Sequence, residues 1–168
     1  MTTYRIVPER SRVHFDGSTN LHPVHGEGDG LTGSIDVAIA DGAIDLSQPP
    51  KARIEFDVER LHSSFTLFER ELQRRIDARR FPTITGEVEL AEAAGPGRYH
   101  VRGDVTFHGV TKTAEGDVTV AVDADGTLRV DGQQVFDIRD YGIEPPKLLL
   151  LKANPDVTIR VEVVAAPE

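Results

Sequence analysis

The sequence predicts an all-β protein: a closed antiparallel barrel of about eight strands with one α-helix inserted near residues 66–80. Three observations predict it. Apolar and polar residues alternate with period two in eight separate runs, tight-turn residues sit at joints between runs, and one segment alone replaces the alternation with a four-residue apolar stripe. Alternation puts one strand face on a core and the other in water, which belongs to antiparallel sheets. Closing such a sheet removes the two unpaired edges it would otherwise expose.

In chain order the apolar parities are Val13/Phe15, Leu31/Gly33/Ile35/Val37/Ile39, Ile54/Phe56/Val58 and Ile84/Gly86/Val88/Leu90. They continue at Tyr99/Val101/Gly103/Val105/Phe107, Val118/Val120/Val122, Leu128/Val130/Gly132/Gln134/Phe136/Ile138 and Val157/Ile159/Val161/Val163. Asp41-Gly42, Gly95-Pro96-Gly97 and Asp125-Gly126 supply residues that tolerate the positive φ of hairpin turns. Between the third and fourth runs, Thr66 and Glu69 have capping-box spacing, and Phe68, Leu72 and Ile76 form one helical stripe. Arg79 and Arg80 suit the helix C-terminus, and Pro82 follows it. Asn20–Gly30 and Tyr141–Asp156 match neither period and are left unassigned.

The 168 residues are expected to form a single domain, residues 1–168. Nineteen basic against 28 acidic residues give a net charge of −9, so nucleic acid and anionic membranes are not expected partners. With no cysteine, disulfides, thiolate metal sites and a cysteine nucleophile are excluded. No run approaches the roughly 18 apolar residues of a spanning helix, and MTTYRIVPER has no signal-like apolar core, so stable membrane insertion is not expected and a cytoplasmic location is.

Three segments carry a family resemblance: Arg79-Arg80-Phe81-Pro82-Thr83-Ile84-Thr85-Gly86, Gly103-Asp104-Val105-Thr106-Phe107-His108-Gly109-Val110-Thr111-Lys112, and Ile138-Arg139-Asp140-Tyr141-Gly142-Ile143. In order and spacing they resemble the YceI-like family, lipocalin-like barrels whose members bind polyisoprenoid lipids. The resemblance implies a lipocalin-like barrel, an apolar polyisoprenoid ligand (a prenyl diphosphate or quinone-like molecule), no catalytic residue and no cofactor. Glu71 stands where the family usually has a histidine before the helix leucine, here Leu72.

The expected ligand-binding residues are those of apolar parity: Phe15, Gly33, Ile35, Phe56, Gly86, Val88, Gly103, Val105, Phe107, Val120, Gln134, Phe136 and Ile159, with Phe68, Leu72 and Ile76 of the helix closing one end. Inward glycines either let strands coil tightly or leave a lumen open, and the sequence leaves both readings standing. Gln134 on the same parity needs a partner or a ligand. Arg70, Arg74, Arg75 and Arg79 are candidate contacts to an anionic head group, against the alternative of helix-face ion pairs with Glu69, Glu71 and Asp77. His22, His25 and Glu27 are the most metal-like run, but they cannot converge as three ligands in a short extended or looped segment, so no metal is expected. Thr106, His108 and Thr111 are read as residues holding a strand-to-strand corner. Leu148–Leu151 do not alternate, so both their faces are expected to be covered by the helix, a ligand or a second subunit, the last making a homodimer. Two other functions stay open: a structural, dimerising barrel, and a small hydrolase or isomerase using a lumen acid–base pair.

Overall fold

The computed structural model describes residues 1–168. Its strands are β1 (Thr2–Ile6), β2 (Arg12–Ser18), β3 (Pro23–Asp29), β4 (Thr32–Val37), β5 (Ile39–Ala40), β6 (Ala43–Ile44), β7 (Lys51–Asp57) and β8 (His62–Ser63). After α1 (Thr66–Ile76) come β9 (Thr83–Gly95), β10 (Arg98–Phe107), β11 (Val110–Val122), β12 (Leu128–Asp137), β13 (Lys147–Leu148), β14 (Leu151–Lys152) and β15 (Asp156–Pro167).

The neighbours run β1-β4-β7-β9-β10-β11-β12-β15, and β1 also pairs with β15, which closes an eight-stranded antiparallel barrel. A 3-10 turn at Pro8–Arg10 bends the chain between β1 and β2, so β15 pairs with both along one edge, Ile6 opposite Ala165 and Arg12 opposite Glu162. β3 and β8 extend this wall beyond β2, with Gly26 opposite Ser63.

Among the strands that lie where the sequence showed no period are β1 and β3. β1 is only five residues long. β3 carries Gly26 and Gly28, which read as loop residues, yet each is needed by a ring on the inner face: a Cβ on Gly26 would overlap the Phe15 ring, and one on Gly28 would lie 2.6 Å from Phe56 Cζ.

The helix is shorter than expected. It ends at Ile76 because Asp77 turns left-handed (φ 54°, ψ 62°), and residues 77–80 form a turn instead. Phe65, not Thr66, is its N-cap, and Glu69 reaches back to accept the Ser63 N–H at 2.9 Å. Phe68 and Ile76 are buried and Leu72 half-buried, as the stripe requires.

The run Leu148–Leu151 forms a short hairpin: Leu148 and Leu151 pair in β13 and β14, and Leu149 and Leu150 make the two-residue turn. The helix does not cover this tip, where Leu149 is 98% and Leu150 83% exposed.

Candidate functional site

The barrel is sealed at one end and hollow in the middle. Ten buried residues, among them Tyr4, Ile6, Leu31, Val37, Leu128 and Ala165, fill the end away from the helix. At the other end α1 lies across the opening. Phe68 packs with Phe15 and Val24, Ile76 packs with Val58, Tyr141 and Ile143, and Gln73 Nε2 donates to the Val58 carbonyl at 2.9 Å.

Between these layers is a cavity of about 440 Å³, 36 of whose 53 lining residues are hydrophobic. Phe15, Ile35, Phe56, Phe68, Leu72, Ile76, Gly86, Val88, Gly103, Val105, Phe107, Val120, Gln134, Phe136 and Ile159 all line it. Val88, Val105, Val120 and Phe136, which a filled barrel would bury, stay half-exposed because they face this space.

Gly33 is the exception. It does not line the cavity; it sits at φ 135°, where a Cβ would overlap the Arg53 carbonyl oxygen of β7. Gly103 lines the cavity but for the same steric reason: a Cβ there would overlap the Glu87 carbonyl oxygen at a register shift between β9 and β10. These two glycines let strands coil. Gly86 differs, because nothing lies within 4 Å of the Cβ it lacks. Gly116 and Gly132 also line the cavity, but Gln134 and Val118 occupy the space of their missing side chains, so Gly86 is the glycine that leaves room.

Gln134 is the polar side chain on this face of β12. Its Oε1 lies 2.9 Å from where a Gly116 Cβ would be, and no buried side-chain polar atom lacks a partner, so its amide opens onto the cavity. The wall's carboxylates turn outward instead: Glu87 pairs with Arg53, and Asp117 and Glu115 flank His100 at 2.8 and 3.2 Å. Those bonds, Asp117 first, raise the His100 pKa.

The arginines lie outside. Arg70, Arg74 and Arg79 line a shallow outer depression with Glu59, Glu69 and Asp77, and no arginine is among the cavity residues. Arg75 bonds Glu71 at 2.8 Å and reaches Glu144 at 3.3 Å, and Arg74 bonds Glu71 at 2.7 Å. Arg74 and Arg75 thus make ion pairs on the helix face, while Arg70 and Arg79 make none.

His22, His25 and Glu27 do not converge. His25 pairs with Asp16, His22 with the Pro23 carbonyl, and Glu27 lies 3.7 Å from His14. The corner at 106–111 forms as expected: His108 and Gly109 take positive φ (55° and 73°), Thr106 and Thr111 hydroxyls meet at 2.7 Å, and His108 Nδ1 donates to the Tyr141 carbonyl at 2.9 Å. Tyr141 and Ile143, in the stretch without a period, also line the cavity, and burial raises the Tyr141 pKa.

A family model described as YceI-like domain matches residues 4–165. No curated protein matches the chain. Among solved structures, Burkholderia cenocepacia BcnA aligns with a TM-score of 0.78 at 20% identity, covering 96% of this chain and 99% of that one. A polyisoprenoid binding domain from Saccharophagus degradans, implicated in plant cell wall breakdown, aligns at 0.75 and 13% identity over 100% of both chains. The Campylobacter jejuni YCEI protein aligns at 0.67 and 18% identity over 85% of this chain and 84% of its own. At these identities the likeness concerns the fold.

Proposed function

The chain belongs to the YceI-like family, and from that premise we propose that it binds a polyisoprenoid lipid in the barrel cavity and carries it out of contact with water. The observation that carries this reading is the apolar cavity of about 440 Å³ beneath α1, within the range of about 300–1,000 Å³ typical of small-molecule sites. A prenyl chain has no hydrogen-bonding groups, so its affinity comes from buried area at about 25 cal/mol per Å².

An uncharged, oxygen-bearing head such as a quinone or a prenyl alcohol fits better than a diphosphate. Gln134 offers an amide to such a group, whereas no arginine lines the cavity: Arg74 and Arg75 pair with Glu71, and Arg70 and Arg79 lie in the outer depression. The role is that of a binding protein rather than an enzyme; the wall's carboxylates and His100 pair with one another on the outer surface.

Organic extraction and native mass spectrometry of the purified protein test the reading, together with titration of a fluorescent prenyl probe. A co-purifying prenyl lipid, or saturable probe uptake displaced by prenyl alcohol and insensitive to salt, is expected. Folded protein that takes up no probe overturns it.

A further inference from the structure

We propose that the leucine-tipped hairpin β13–β14, with the adjoining β2–β3 turn, docks the protein on the surface of a lipid bilayer carrying anionic head groups. The proposal stands on the outer surface and does not depend on the cargo.

Three observations meet there. Leu149 and Leu150 form the hairpin tip at 98% and 83% exposure, and Leu21 in the neighbouring turn is 71% exposed. The two turns are fixed to each other: Asn20 Nδ2 donates to the Leu150 carbonyl at 3.0 Å, and the Lys152 N–H donates to Asn20 Oδ1 at 2.8 Å. His22 then meets Phe65 edge-on at 5.7 Å, at the start of the helix that carries exposed Leu67. The leucines are thus held as a group at the helix-covered end of the barrel.

Leu149 also sits at φ 56°, a conformation that glycine or asparagine takes at ease and a leucine does not. An apolar residue placed both in water and in a strained turn has no folding reason to be there. Strain of this kind collects at functional sites.

The charge says what covers the tip. Lys147 and Lys152 face each other across the hairpin, and neither Ser18–Pro23 nor Pro145–Asn154 contains an acidic residue, in a chain whose net charge is −9. Arg70 adds a further exposed positive charge on α1, one turn from Leu67. In a chain of net charge −9, a tip with two lysines and no carboxylate is the part suited to meet an anionic surface. A projecting two-leucine turn suits the head-group and acyl boundary, which interfacial apolar groups enter by about 5–10 Å. A stable protein interface instead needs a broad patch of about 800 Å² on each partner.

The chain contains no tryptophan, so Leu150→Trp is a single reporter at the tip. With phosphatidylcholine vesicles containing phosphatidylglycerol, its emission should shift to the blue and be quenched by brominated acyl chains. Leu149→Asp/Leu150→Asp should lose co-sedimentation with these vesicles, and Lys147→Glu/Lys152→Glu should lose the preference for them over pure phosphatidylcholine. Circular dichroism and prenyl-probe uptake without vesicles establish that each variant is folded. An unshifted emission in folded protein overturns the proposal. So does a shift that needs no vesicles and grows with protein concentration, which assigns the tip to a second copy of the chain. Protein that takes up probe but ignores vesicles fails on docking alone and leaves the cargo reading intact.

Discussion

Replacing Gly86 by leucine puts four carbons into the cavity without disturbing the backbone that surrounds it. Nothing lies within 4 Å of the new Cβ, and Gly86 does not occupy the left-handed region, so leucine adopts the native strand conformation. The added side chain fills on the order of 100 Å³ of a cavity of about 440 Å³. That displaces roughly one five-carbon isoprene unit, forgoing about 4 kcal/mol at about 0.8 kcal/mol per buried carbon. Chain freedom regained by the ligand offsets part of this, leaving a net loss of about 2 kcal/mol, or roughly thirtyfold in Kd. Fluorescence titration with a prenyl probe measures it, with thermal unfolding run in parallel. Melting temperature should hold or rise, because glycine weakens a strand interior. Gly103→Leu is the contrasting variant: its Cβ overlaps the Glu87 carbonyl oxygen, so it should unfold the barrel whatever the ligand. Folded Gly86→Leu protein with wild-type affinity would refute the reasoning, because the bound chain would then not pass this wall.

Gln134→Leu should leave stability unchanged while weakening a prenyl quinone or alcohol more than the matching hydrocarbon; equal loss for both in competition titrations would remove the amide from recognition. Leu149→Asn should raise stability by about 1 kcal/mol through relief of the positive φ, read from urea midpoints, and a lowered midpoint would contradict it. His100 gains its carboxylate partners on folding, so its pKa is raised above 6.5; its stabilisation is complete below that value and fades as pH rises through the raised one. The melting-temperature gap between wild type and His100→Gln should accordingly narrow from acidic to alkaline pH, and a constant gap would count against it.

The barrel was legible in the sequence because seven of its eight walls alternate over enough residues to fix which face is inside. What escaped was set by contacts between distant residues. β3 was hidden by Gly26 and Gly28, whose meaning lies in the Phe15 and Phe56 rings that occupy their missing side-chain space. Gly33, Gly86 and Gly103 share one parity, yet two let strands approach closely and one leaves space; only the neighbouring strand's backbone distinguishes them. The same limit applies to the arginines, whose spacing fitted both an anion clamp and helix-face pairs; only the fold shows Glu144 beside Arg75. The tetraleucine run showed no period because it is a short hairpin, which the Ala153–Pro146 backbone bond and the Asn20 bonds hold as a projecting turn.

The closure of β1 against β15 has a consequence for how the chain reaches this state. The hairpins β9–β10, β10–β11 and β11–β12 join strands adjacent in the chain, as His108-Gly109 joins β10 to β11, and each forms by closing a short loop. The β1–β15 seam instead joins Arg5 to Glu168, 163 positions away. Relative to a ten-residue loop that is about four doublings of length, an added entropic cost of about 2–3 kcal/mol. Long-range pairing of this kind is the slow part of β-sheet folding. During synthesis, the edge of β1 that β15 will cover stays open until the final strand emerges, exposing a template for intermolecular strand addition. The barrel is thus most vulnerable to aggregation in the interval before its seam is sewn.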